Sequence, residues 1–257
     1  RFAGMILGMS TDKSASPDLV IQVEGVHKSY RRGGSVTPEL DGIDLTVRRG
    51  ECLCLAGPSG SGKSTLLSIL GCILSPDCGR VEILGEDITA IGPDRRVQMR
   101  RNRLGFVFQR FQLIRGLTAI HNVCVPLTLQ GVSRRAAERR AATLLEAVGL
   151  AGKAQAHPQN LSAGQCQRVA VARALAADPE LILADEPTAS LDAANGQEAV
   201  GLLRRLTTQE GKTAVVVTHD QRIFHLMDRI LWLDSGRITD EKHPSALSCR
   251  PGQGDSQ

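Results

Sequence analysis

The stretch GPSGSGKST, Gly57 to Thr65, decides the fold. An alternating apolar run, Glu51 to Ala56, precedes it, and an amphipathic segment begins at Lys63. Strand, glycine-rich loop and helix in that order form the context a phosphate-binding loop needs. Gly57, Gly60 and Gly62 let backbone N–H groups turn inward around an anion without Cβ clashes. A helix starting near Lys63 adds the positive end of its dipole. Lys63 can then reach β- and γ-phosphates, and the Ser64 hydroxyl can ligand Mg²⁺. A plain Gly/Ser-rich turn is the competing reading, and the flanking strand and helix signals weigh against it.

The bulk properties set the frame. A length of 257 residues suffices for one large α/β domain or two small ones. Apolar content of 42% and charged content of 23% are those of an ordinary globular protein. No apolar run approaches the ~20 residues of a membrane-spanning helix. The N-terminal residues 1–10 are too short and broken for a signal peptide. Seven cysteines are scattered without a CxxC pair, which reads as incidental thiols in a reducing compartment rather than a zinc site. The net charge of +4 gathers in arginine clusters at residues 95–103 and 134–140. These read as solvated helical faces, with an acidic protein or anionic lipid as the sharper alternative. One Trp and one Tyr leave little surface on which bases could stack, so nucleic acid is not expected.

Along the chain, residues 1–17 read as a frayed lead-in and 241–257 as a flexible tail. Strands are expected at Leu19–Glu24 and Ile43–Val47, with Arg31–Pro38 as a hairpin-like connection. Further strands are expected near Val81–Leu84 and Leu104–Phe108. From Thr118 to Gly149 the period is helical, with Ser133 as a cap and Pro126 as a helix stop or kink. Then come a helix (Gln165–Ala177), a buried strand (Leu181–Ala184), a helix (Asp192–Gln209), a strand (Thr213–Thr218), a short helix and a strand near Ile230–Asp234. Strands alternating with helices on this spacing imply an α/β fold with a parallel sheet covered on both faces. The helical insert, about 109–165, reads as a subdomain within a domain of about 18–240.

The strand Leu181–Ala184 runs straight into Asp185 and Glu186. An acid there, beside a phosphate loop, suits second-sphere Mg²⁺ coordination by Asp185. The next acid can polarise a water aimed at the γ-phosphate, making Glu186 the general-base candidate. Asp-Glu alone would equally suit a helix cap; the upstream loop favours the chemical reading. LSAGQ, Leu161–Gln165, precedes a long helix and offers Ser162 and the Gly164 backbone as donors. On isolated spacing, a plain N-cap is the simpler reading.

Taken together, these residues resemble the nucleotide-binding subunits of ABC transporters, from about Leu19 to Asp240. The motifs stand in the family's order: GPSGSGKST, Gln109 after GFVF, LSAGQCQR, LILADEP, Ala189-Ser190-Leu191-Asp192, and Thr218-His219-Asp220. The segments after GFVF and around ADEPTASLD look like the lipoprotein-release, macrolide-export and heterocyst glycolipid-export branch. The resemblance implies a P-loop NTPase (RecA-like) core with a small antiparallel β subdomain and an inserted helical subdomain. It implies ATP held by Gly57, Pro58, Ser59, Gly60, Ser61, Gly62, Lys63, Ser64 and Thr65, with Tyr30 stacked on adenine. It gives Gln109 a role with Mg²⁺ and the attacking water, and His219 a contact with the γ-phosphate. Asp192 falls at a dimer seam, and Leu161, Ser162, Ala163, Gly164 and Gln165 reach the nucleotide of a second copy. Ala163 departs from the usual LSGGQ and would cost about 1 kcal/mol if the position needed positive φ.

The expected function is therefore ATP-driven export or membrane extraction of a lipid, lipoprotein or drug-like substrate. Its partners would be a second copy of the chain and separate integral membrane permease subunits. The expected location is peripheral, on the cytoplasmic face of the inner membrane. A regulatory ATPase of the cell-division type, which gates a membrane partner without transport, shares the same chemistry and differs only in that partner. The soluble, nucleic-acid-linked ABC class usually carries two nucleotide domains or a long coiled-coil insert, and this chain has neither.

Overall fold

The computed structural model describes residues 18–32 and 35–244. The expected lead-in and most of the expected tail lie outside the described residues. Two sheets organise the rest. The first is antiparallel, in the order β2-β1-β4-β5, built from β1 (Leu19–Arg32), β2 (Ser35–Arg48), β4 (Cys78–Ile83) and β5 (Glu86–Asp87). The second has the order β10-β9-β3-β8-β7-β6, with β3 (Cys52–Ala56), β6 (Leu104–Val107), β7 (Leu181–Asp185), β8 (Thr213–Val217), β9 (Arg229–Asp234) and β10 (Arg237–Lys242). Its pairs are parallel except the edge strand β10, which runs antiparallel to β9. The chain is thus an α/β protein with a mixed six-stranded sheet beside a smaller antiparallel one.

Side-chain alternation explains the layering. On β3, Cys52, Cys54 and Ala56 face one core, while Leu53 and Leu55 face the other. Strand β7 divides likewise, with Ile182 and Ala184 on the first side and Leu181 and Leu183 on the second. A central strand buried on both faces has no polar side to show, so it reads as an unbroken apolar run. Helix α1 (Lys63–Leu70) buries Leu66, Leu67, Ile69 and Leu70 in the second core, against the antiparallel sheet. Helices α3 (Ala119–Leu129), α4 (Arg134–Ala147), α5 (Ala163–Ala176) and α6 (Ala193–Gln209) feed the first. The remaining helix, α2 (Pro93–Asn102), begins with proline at its first position and buries Met99.

Several expectations need correction. Strands β1 and β2 are 14 residues each and run well past the expected ends, so most of Arg31–Pro38 is strand rather than connection. The period is hidden because register shifts interrupt the β1–β2 ladder at three places between Val23 and Ser29 and blur the alternation. Pro126 lies inside α3 and does not end it. The helix continues because Ile120, Val123, Cys124 and Leu127 are all buried against α4 and α5, which outweighs one missing backbone bond. Ser133 occupies the N-cap position of α4 without a side-chain cap bond. Strand β10, charged along most of its length, extends through Lys242, two residues into the expected tail. The Arg95–Arg103 cluster is not simply solvated. Arg95 pairs with Glu86 at 2.6 Å, Arg103 with Glu180 at 2.7 Å, and Arg100 donates to the Cys72 carbonyl at 2.6 Å.

Candidate nucleotide site

The carboxyl ends of β3, β7 and β8 meet at a cleft of about 540 Å³. Residues 58–60 and 62–65 line it, together with Gln109, Glu186, His219 and Glu39. The loop geometry follows from glycine. At Gly62 the backbone has φ of +99°, and an added Cβ would stand 2.6 Å from the Glu39 carbonyl oxygen and 2.7 Å from Leu40. No other residue type fits there. The turn delivers the chain into α1, whose first residue is Lys63.

Lys63 is 6% exposed and donates through Nζ to the carbonyls of Gly57 at 2.9 Å and Pro58 at 2.7 Å. Burial pulls its pKa down from the usual lysine range, and Glu186 and Asp185 work in the opposite direction. Its ammonium is therefore fixed within the loop, with its charge directed at the cleft. Gly57 and Ser61 form the back of the loop, the Ser61 hydroxyl lying 3.5 Å from Lys63 Nζ. Ser64 Oγ donates to Asp185 Oδ1 at 3.1 Å. Burial pushes the Asp185 carboxyl up, and the Ser64 hydrogen bond partly opposes this. One hydroxyl and one carboxylate side by side match how Mg²⁺ is usually held, with phosphate and water completing its shell. No cluster of three or more His, Cys, Asp or Glu fit for an all-protein metal site occurs among the described residues.

Glu186 follows β7 at φ of +44°, a left-handed conformation that costs a non-glycine residue on the order of 1 kcal/mol. Its N–H donates to the Val217 carbonyl at 2.8 Å, which ties the turn to β8. Its carboxylate accepts from Thr218 Oγ1 at 3.2 Å and lies 2.9 Å from His219 Nδ1. A carboxylate can only accept, so Nδ1 must carry the proton in this arrangement. Gln109 follows the end of β6, and the Ser190 hydroxyl donates to its carbonyl at 3.2 Å.

Not every expected residue joins this cleft. Tyr30 is on β1, opposite Thr37, and does not line it. Asp192 caps α6, accepting from the Asn195 N–H at 3.0 Å and side-chain amide at 2.6 Å. Ser162 caps α5 through a reciprocal box with Gln165, the two bonds measuring 3.2 and 3.0 Å. The plain cap readings of Ser162 and Asp192 are thus fulfilled, whatever else these residues do. Ala163 starts α5 and is not among the positive-φ residues, so the feared cost of replacing glycine does not arise. One lining residue, Glu39, carries no signal in the sequence, and Thr218, known there only as part of a motif, supports the cleft from behind through Glu186.

Comparison with known proteins agrees with this geometry. A family model described as ABC transporter matches residues 40–189. The chain belongs to the ABC transporter family. It is 45% identical over 221 residues to the lipoprotein-releasing system ATP-binding protein LolD of Shewanella oneidensis, covering 86% of this chain and 96% of that one. It is 41% identical over 235 residues to the macrolide export ATP-binding/permease protein MacB 1/2 of Paracoccus denitrificans. That match takes in 91% of this chain but spans only 35% of the relative's length. Among solved structures, the dimeric bacterial ABC transporter cassette MJ0796 superposes with a TM-score of 0.82 at 40% identity, covering 87% of this chain and 98% of that one. Its post-hydrolysis dimer bound to ADP and Pi gives 0.81 at 39% identity and the same coverage. The fold is therefore that of an ABC ATPase cassette. No helix among the described residues is long and apolar enough to cross a membrane.

Proposed function

We propose that this chain binds ATP with Mg²⁺, closes against a second copy of itself, and hydrolyses the nucleotide to drive separate membrane subunits. The work done would be export, or extraction from the membrane, of a lipid, lipoprotein or drug-like molecule. One observation carries the reading. Lys63, Ser64, Glu186, His219 and Gln109 converge on one cleft, while LSAGQ and Asp192 lie outside it. A donor segment away from its own cleft makes sense when it serves the cleft of a partner.

In the proposed reaction, loop amides and Lys63 hold the β- and γ-phosphates. A water stands between Glu186 and the γ-phosphorus, with Gln109 helping to orient it. Glu186 takes the proton as the water oxygen bonds to phosphorus and the bridge to the β-phosphate breaks. His219, 2.9 Å from Glu186 through Nδ1, stands in the cleft where its ring would meet the γ-phosphate. Mg²⁺, held by Ser64 with Asp185 behind it, would neutralise the phosphate charge. Loss of the γ-phosphate removes the contacts both copies share, and the pair reopens.

An exposed groove of about 260 Å³ supports a membrane partner. It is lined by Phe106, Phe108, Val125 and Leu129 with Arg100 and Arg101 at its edge, and Leu129 is 63% exposed. An exposed apolar groove rimmed by charge suits a protein partner. Gln109 immediately follows this wall, which would couple the groove to the cleft.

The dimer is tested by sedimentation with ATP and Mg²⁺. The chain should shift from one copy to two, and Gly164→Ala should weaken that shift about tenfold or more. A Cβ at Gly164 would stand 2.7 Å from Asn195 Oδ1, so the Asn195 side chain that is bonded to Asp192 must shift, which disturbs both proposed seam segments where they touch. ATP affinity of the single chain should stay within about twofold, since Gly164 is outside its own cleft. Wild-type dimerisation in the variant would discount the seam.

A further inference from the structure

Glu39 has no assigned part in this cleft, yet it lines the cleft beside the phosphate loop. Its position comes from a fault in the β1–β2 ladder. Lys28 pairs with Leu40 and the next pair is Ser29 with Pro38, so Glu39 is the extra residue of a β-bulge. Bulges re-aim side chains, and they concentrate beside active sites. The backbone of Glu39 is locked in place. Its carbonyl oxygen lies close enough to both Gly62 and Gly236 that neither could bear a side chain. Among the described residues, the Glu39 carboxylate has no ion pair and no side-chain hydrogen bond. A half-buried acid that lines an anion-binding cleft without a partner cation is free to accept from an uncharged donor of the ligand.

We infer that Glu39 is a ribose-recognition residue, accepting hydrogen bonds from the 2′- and 3′-hydroxyls of the bound nucleotide. This rests on the ATP reading above. A carboxylate is repelled by phosphates but complements a sugar diol, the pairing by which acidic residues hold ribose in dinucleotide-binding folds. The order along the structure also fits. The phosphate loop touches Glu39 through Gly62, and two residues beyond Glu39 on the same strand stands Thr37, partner of Tyr30. Phosphate, sugar and base would therefore meet Lys63, Glu39 and Tyr30 in turn.

The test compares binding of ATP, 2′-deoxy-ATP, 3′-deoxy-ATP and inosine triphosphate in a hydrolysis-deficient Glu186→Gln background. With Glu39 present, ATP should bind about tenfold or more tightly than at least one deoxy analogue, as expected for a hydrogen bond to a charged acceptor. Glu39→Ala should bring that ratio to within about twofold of unity. The ratio is the readout, because losing a negative charge beside a polyphosphate changes all these ligands alike. The variant keeps its backbone contacts with Gly62 and Gly236, so folding is not at stake. An unchanged ratio in Glu39→Ala, or a lost preference for ATP over inosine triphosphate alone, overturns the assignment. Adding Lys63→Ala should weaken every ligand and leave the ratio. Failure of the Glu39-containing chain to bind any nucleotide would remove the ATP reading itself, and this inference with it.

Discussion

Replacing Glu186 with Gln is expected to lower ATP turnover by at least about 10²-fold while nucleotide binding survives. The substitution keeps the shape of the side chain and removes only its ability to take a proton. Its surroundings tolerate the change. The Thr218 hydroxyl can still donate to an amide oxygen at the same place, and the turn depends on the Glu186 N–H to Val217 rather than on the carboxylate. The positive φ is already paid in the native chain and is unaffected. Lys63 loses one nearby negative charge, which favours a polyanion in the cleft. ATP should therefore accumulate uncleaved, and the paired form should persist instead of reopening. Phosphate release and sedimentation measured on the same sample check both halves. Turnover at the native rate would remove Glu186 from the role of base and leave His219 or a phosphate oxygen to fill it.

The legible part of this molecule is the part whose backbone is dictated locally. GPSGSGKST announces its loop because its glycines and lysine stand between a strand signal and a helix signal, and the loop lies between β3 and α1 as that context implies. Asp185 and Glu186 were legible because an apolar strand buried on both faces ends abruptly in charge. The antiparallel sheet was not, since its long strands are bulged and their alternation fails every few residues. The same bulge hid Glu39, because no local pattern records which residue of a strand lacks a partner. Pro126 misled for the opposite reason. Its local preference is strong, but the buried stripe of α3 decides the outcome. Strand β10 escaped because an edge strand with little buried surface needs no apolar period.

Lys63→Ala is expected to weaken ATP binding by at least about 10²-fold without destabilising the nucleotide-free chain. The second half follows from the sign of the lysine's shift. Burial lowers its pKa relative to the unfolded chain, so keeping it protonated costs the folded state free energy at neutral pH. Removing the side chain relieves that cost. It also strips a donor from the Gly57 and Pro58 carbonyls, and the open cleft lets water replace it at the exposed Pro58. The two effects oppose, and the Tm without nucleotide should move by only a few degrees. With ATP the balance is different. Asp185 and Glu186 would then face the phosphates with no lysine to offset them, and repulsion between unit charges near a protein surface reaches about 4 kcal/mol at 4 Å. A ligand at 100 times its Kd stabilises by about 2.7 kcal/mol, so native chain should gain several degrees on adding ATP. The variant should gain almost none at the same concentration. Thermal unfolding with and without ATP reads both quantities, and an undiminished rise in the variant would mean that the loop amides alone hold the phosphates.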